Sequence, residues 1–240
     1  MVTRPFDEWR FSRGVRILMA THAQAPKMRH AFDLDIPATL EELCDPKLIA
    51  LLVYDMQVGI LSQLPRASDT IARVHDVLGA AREAGVRILF TRHVSVPLEL
   101  AGVMQLRTAM AWQRVDQVER LRPAFPPSAP QTQLLAELAP LSSEFVFDKI
   151  SMSAFVGTPL ELILRDCGIK ALAVVGVALE VGIEPTLRHA ADLGFIPVLP
   201  ADACGGRDHA AMQRALDGLA FAGDTILTDA ATLAAHIRAR

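Results

Sequence analysis

Four short stretches of the chain carry side chains able to do chemistry. Tyr54-Asp55-Met56-Gln57 follows one apolar run, Asp148-Lys149 ends a second, Gly176-Val177-Ala178 ends a third, and Asp202-Ala203-Cys204 follows a fourth. Burying a carboxyl group raises its affinity for a proton, and an ammonium within reach lowers it again. Asp55 with Lys149 is therefore a candidate acid–base pair. Each residue also has a plainer reading: Asp55 as the N-cap of a following helix, Lys149 as a solvated strand-end lysine, Gln57 as a cap rather than a substrate contact. Residues 176–186 read as a strand entering a helix, with Pro185 in its first turn and Glu180 and Glu184 near its positive end. The backbone N–H groups at that turn either hold an oxyanion or supply only the geometry of an elbow.

The elements that must position these residues follow one pattern. From about residue 48, short runs rich in Val, Ile and Leu alternate with stretches of helical apolar spacing, which is the βα alternation of a parallel sheet. Strands are expected at residues 48–54, 86–91, 144–147, 171–177, 195–199 and 225–227. Helices are expected at 67–84, 159–166, 183–193, 208–221 and 230–238, three of them stopped by Gly85, Gly168 and Gly194. The runs are apolar on both faces, so the class is α/β, a three-layer arrangement with helices on both sides of the sheet. Ligands of such sheets bind beyond the carboxyl ends of the strands, which brings an acid, a base and a backbone turn to one edge. Residues 95–143 interrupt the alternation with six prolines and one expected helix at 98–112. This insertion is placed to cover a site or to meet a neighbouring subunit.

Composition removes other classes. The chain has 240 residues, 51% hydrophobic and 21% charged, with a net charge of −3, enough to bury a full core and too evenly charged for a phosphate-binding stripe. No nucleic-acid partner is expected. The three cysteines, Cys44, Cys167 and Cys204, are far apart and lack metal-ligand spacing, which fits a reducing, cytoplasmic setting. No apolar run approaches the ~18 residues of a bilayer span, so no membrane is expected, and residues 15–20 are too short for a secretory core. A mean hydropathy of +0.29 favours a homodimer or homotetramer. The division expected is an N-terminal extension, residues 1–46, and one domain, residues 47–240.

From about residue 49 onward the chain resembles the isochorismatase-like hydrolase superfamily, which also holds nicotinamidases and other cysteine hydrolases. The resemblance rests on residues 51–57 ending in Asp55-Met56-Gln57, on Asp148-Lys149 followed by Ser153-Ala154-Phe155-Val156-Gly157-Thr158, on residues 176–186, and on Asp202-Ala203-Cys204, in that order. It implies a Rossmann-like six-stranded parallel sheet and a site built on Asp55, Lys149 and a cysteine at residue 182. Here that residue is Gly182. Without a thiolate there, no thioester can form, and the two-step amidase route is closed.

Isochorismatases proper also carry glycine at that place and hydrolyse a vinyl ether with no covalent intermediate, using the aspartic acid as a proton donor. The residues between Gly176 and Gly182 lack the Tyr and His of those enzymes, so the substrate class stays open. The resemblance further implies a non-proline cis bond at Val177–Ala178, oxyanion donors at the N–H groups of Ala178 and Gly182, and Gln57, His93, Phe155, Val177 and Ala178 around a small-molecule substrate. His93 lacks the Asp-x-His context of the nicotinamidase metal site, so no metal and no cofactor are expected. Two readings remain: a hydrolase that adds water directly, to an ether or to a small amide, or a homologue that binds a metabolite and leaves it unchanged.

Overall fold

A computed structural model of the protein describes residues 28–37 and 39–240. The 15–20 stretch of the extension lies outside the described residues. The remainder of the extension forms a hairpin, β1 (Arg29–Ala31) and β2 (Leu34–Ile36), and a short helix, α1 (Leu40–Leu43), started by a Thr39/Glu42 capping box. Leu43 and Cys44 are buried in the main core, so the end of the extension packs with the domain that follows.

The alternation then runs β3 (Ile49–Tyr54), α2 (Val58–Leu61), α3 (Ala67–Glu83), β4 (Arg87–His93), α4 (Val103–Gln113), β5 (Phe145–Lys149), α5 (Leu160–Asp166) and β6 (Ala171–Val177). It continues through α6 (Glu184–Asp192), β7 (Ile196–Pro200), β8 (Cys204–Gly205), α7 (His209–Ala222), β9 (Ile226–Thr228) and α8 (Ala230–Arg238). The sheet order is β5-β4-β3-β6-β7-β9 with every pairing parallel. The six expected strands form this path. A seventh, β8, was not expected: β7 pairs only with the first half of β6, and after a single turn the chain returns to pair Cys204 and Gly205 with Gly176 and Val177.

Side-chain alternation divides the core into two layers. Leu51 and Val53 of β3 face α3 and α8, whose Val74, Val77, Leu78, Leu233 and Ile237 are buried with them. Ala50, Leu52 and Tyr54 face the opposite layer, packed with Leu160 and Leu164 of α5, Leu187 of α6 and Leu216 and Leu219 of α7. Burying each such Leu or Ile contributes about 1.5–3 kcal/mol. The expected glycine stops Gly85, Gly168 and Gly194 all take positive φ, as does Gly223 after α7.

The insertion departs from expectation. Instead of one helix at 98–112, a single 3-10 turn at Leu98–Leu100 is separated from α4 by Ala101 and Gly102 in extended backbone. Among the described residues no helix is long and apolar enough to cross a membrane.

The feature that positions a site is the order reversal. From β3 the chain builds outward through β4 to β5, then crosses back to start β6 on the other side of β3. The loops leaving β3 and β6 diverge, and the crevice between them is where open α/β sheets take ligands.

Candidate active site

A cavity of about 820 Å³ opens at that crevice, lined by Tyr54 and Asp55 from β3, His93 from β4, Lys149 from β5, and Val177, Ala178 and Gly182 from the end of β6 and the turn after it. The insertion supplies the outer wall, with Trp112, Arg114 and Phe125. Strand ends therefore build the floor, and the proline-rich segment builds the rim.

Asp55 leaves β3 in the left-handed region, φ 48°, a conformation that Asp adopts more readily than most residues. Thr91 of β4 is the counterpart that fixes it: the Asp55 N–H donates to Thr91 Oγ1 at 3.0 Å, and the Thr91 hydroxyl donates to Asp55 Oδ1 at 2.6 Å. The other oxygen, Oδ2, accepts from Lys149 Nζ at 2.7 Å. Lys149 reaches it from the edge strand β5, across β4, with its stem buried. The two side chains are 1% and 6% exposed for Lys149 and Asp55, so this ion pair is screened by little water. A second Lys149 proton goes to the Ser151 carbonyl at 3.2 Å, and the ammonium stands 4.3 Å from the centroid of the Tyr54 ring. The acid and base expected from the sequence are thus brought together.

The turn after β6 is the third component. The Val177–Ala178 peptide is cis, and residues Leu179–Ile183 form one π turn before α6. Gly182 lies on the cavity wall, but its N–H donates to the Ala178 carbonyl at 3.0 Å. This corrects the expectation of a free oxyanion donor at Gly182: the tightness of the turn commits that amide internally. Glu180, read from the sequence only as a charge near a helix start, accepts from the Arg207 and Asp208 N–H groups at 2.8 and 3.3 Å and ties the loop after β8 to the turn.

Two expected substrate contacts lie outside the cavity. Gln57 is fully buried and acts as a bolt, with Nε2 donating to the His93 and Thr132 carbonyls at 3.0 and 2.8 Å and Oε1 accepting from the His93 N–H at 2.7 Å. Both its amide protons are spent joining β4 to the insertion, so no donor is left for a ligand. Phe155 is buried in the layer formed with α5, α6 and α7, stacked on Phe195 and tilted against His189, because the loop after β5 turns it toward α6. Cys204 is buried as well, its thiol 3.6 Å from the Val174 carbonyl and off the cavity. Burial raises its thiol above the ordinary range and pushes that of Cys44 up to about 12. Neither offers a thiolate at neutral pH.

His93 does line the cavity, edge-on to Phe125. Burial lowers its affinity for a proton, Asp55 raises it and Lys149 lowers it, with a net shift below the ordinary 6.5. A histidine whose folded value is depressed contributes stability that is complete above 6.5 and lost as the pH falls through the lowered value. Between about pH 7.5 and about pH 5, the thermal midpoint of the wild-type chain should therefore fall further than that of His93→Gln, as read by circular dichroism.

Sequence reading gave no role of their own to Thr91 and Tyr54. Thr91 carries a signal, being a hydroxyl residue in an apolar strand. Tyr54 carries none, because an aromatic in a strand reads as core. Among the described residues no three His, Cys, Asp or Glu side chains gather as metal ligands.

Comparison with known proteins agrees with this architecture. The family model described as the isochorismatase domain matches residues 49–231. The ureidoacrylate amidohydrolase RutB of Variovorax paradoxus (strain S110) is 28% identical over 229 residues, covering 85% of this chain and 88% of that one. The isochorismatase family protein YecD of Escherichia coli O157:H7 is 31% identical over 160 residues, covering 66% and 80%. In fold, a cysteine hydrolase from Pseudomonas syringae pv. phaseolicola 1448A superposes with a TM-score of 0.68 at 24% identity, covering 81% of this chain and 94% of that one. Because the family match runs from β3 into α8, well over half the sequence, the chain belongs to the isochorismatase family, and its relatives make it a hydrolase.

Proposed function

We propose that the protein hydrolyses a C–N or C–O bond of a small metabolite by direct addition of water, with no covalent intermediate on a cysteine. One observation carries this reading: the buried Asp55–Lys149 pair faces a cavity where residue 182 has no side chain to attack with. Both Asp55 oxygens accept hydrogen bonds, from Thr91 and Lys149, which fix the carboxylate in one orientation at the cavity. Asp55 removes a proton from water as the water oxygen bonds to the substrate carbon. The proton then passes to the departing nitrogen or oxygen, which leaves as an amine or alcohol. Lys149 keeps its charge throughout and offsets the negative charge that develops beside it.

The relative from Variovorax paradoxus is named for ureidoacrylate, which makes ureido acids the first substrate class to try here. Two exposed guanidinium groups on the rim, Arg114 and Arg207, are available to a substrate carboxylate. The test is a panel of ureido acids, simple amides and esters, followed by ammonia release and by NMR. Turnover that survives iodoacetamide supports the proposal. Loss of turnover on alkylation would return the chemistry to a thiol, and tight calorimetric binding with no product would make the protein a binder instead.

A further inference from the structure

The space that a side chain at residue 182 would need is already occupied. A Cβ built on Gly182 overlaps the Tyr54 hydroxyl and lies 2.6 Å from its Cζ and 2.8 Å from its Cε1. Carbon atoms do not approach so closely, so either the ring or the turn would have to move. The ring is poorly able to do so. Tyr54 is 1% exposed, its hydroxyl donates to the Met152 carbonyl, and its backbone is pressed by Gly176, where an added Cβ would overlap the Tyr54 carbonyl oxygen. Gly176 pairs directly with Tyr54 across β6 and β3 and takes φ 123°, which only glycine adopts readily. Two glycines thus leave room for one tyrosine, the first for its backbone and the second for its phenol.

The same ring meets the reacting pair from the other side. Lys149 Nζ stands 4.3 Å from its centroid while bonded to Asp55, so the ammonium is held between a carboxylate and an aromatic face. Burial, and then the charge of Asp55, keep the phenol far above its ordinary range, so it stays a neutral hydroxyl and not a nucleophile.

We infer that Tyr54 holds the seat a nucleophilic side chain at residue 182 would require and serves as a positioning residue that fixes Lys149 against Asp55. The absence of thiol chemistry is then written twice, once in Gly182 and once in the residue that fills its place. This deepens the reading of a water-adding hydrolase by naming what stands where the nucleophile would be. Its test uses no substrate, so it can fail while that reading holds, and the reverse.

Gly182→Ala adds only the Cβ. In the wild-type background it should lower the thermal midpoint by roughly 3–10 °C, the expected effect of overpacking in a chain of this size. On a Tyr54→Leu background the same substitution should cost little. An unchanged midpoint for Gly182→Ala alone overturns the claim, as does an equal loss in both backgrounds.

The positioning role is read separately by acetylating the folded protein with an N-hydroxysuccinimide ester and following each lysine by peptide mass spectrometry, with Lys47 and Lys170 as references. Tyr54→Phe, which keeps the ring, should leave Lys149 as slow as in the wild type. Tyr54→Leu should speed it roughly tenfold, the loss of a desolvated cation–π contact. Equal Lys149 rates in wild type, Phe and Leu variants overturn the positioning role, and so does a Phe variant as fast as the Leu variant.

Discussion

Lys149→Met is expected to lower the unfolding free energy by about 3–5 kcal/mol, because it leaves the Asp55 carboxylate buried without its counter-charge. The pair is nearly inaccessible to water, with 1% and 6% of its side chains exposed, so solvent cannot replace the lost ammonium. Methionine keeps most of the buried stem, which isolates the charge from the packing. The diagnostic comparison is the double variant Asp55→Asn/Lys149→Met. Removing both charges should restore most of the loss, since an unpaired buried charge costs more than a missing pair. Chemical denaturation of the three chains checks this. Equal stability of Lys149→Met and wild type would mean that water reaches Asp55 in solution and that the pair is not the closed unit described above.

Asp55→Asn has the larger functional effect. It preserves the shape of the side chain but removes its ability to take a proton, which should reduce kcat by about 10²–10⁴-fold, the usual contribution of a positioned base. The asparagine carbonyl can still accept from Thr91 Oγ1 or from Lys149 Nζ, which hold the carboxylate at 2.6 and 2.7 Å, so the backbone at φ 48° has its anchors. Lys149 is left without a full counter-charge, so rates are compared at a temperature where circular dichroism shows both chains folded. If KM holds while kcat falls, the carboxylate acts on the reacting atoms. A variant that loses KM alone would make Asp55 a binding residue.

How far the site could be read from the sequence depended on what fixes each part. The strand ends were legible within one or two residues, because β-branched runs and glycine stops are local signals: the strand expected at 171–177 is β6 (Ala171–Val177). Asp55 and Lys149 were legible as a pair because parallel topology sends strand ends to one edge, and a lysine stem is long enough to cross one strand. Gln57 and Phe155 were misplaced because position after a strand says nothing about which way a side chain turns. A polar residue there serves the cavity or bolts two loops together, and only the partners of Gln57, the His93 and Thr132 backbone, decide between the two. Tyr54 was invisible for a related reason. Its role comes from contact with residue 182, which lies 128 positions away and shows nothing but the absence of a side chain. The strand β8 escaped because two residues, Cys204 and Gly205, carry no periodicity.

The central claim concerns what bonds to the substrate carbon: water, activated by Asp55, and no atom of the protein. Intact-mass spectrometry of the enzyme, quenched in acid during steady turnover of a substrate found in the panel, addresses it directly. The expected result is no mass increment derived from the substrate at any time point, in the wild type and in the iodoacetamide-treated enzyme alike, the latter carrying only the carbamidomethyl increment of accessible cysteines such as the partly exposed Cys167. A transient adduct of the mass of the acyl or alkyl half of the substrate, mapped to Cys204 or to any other side chain, would contradict it.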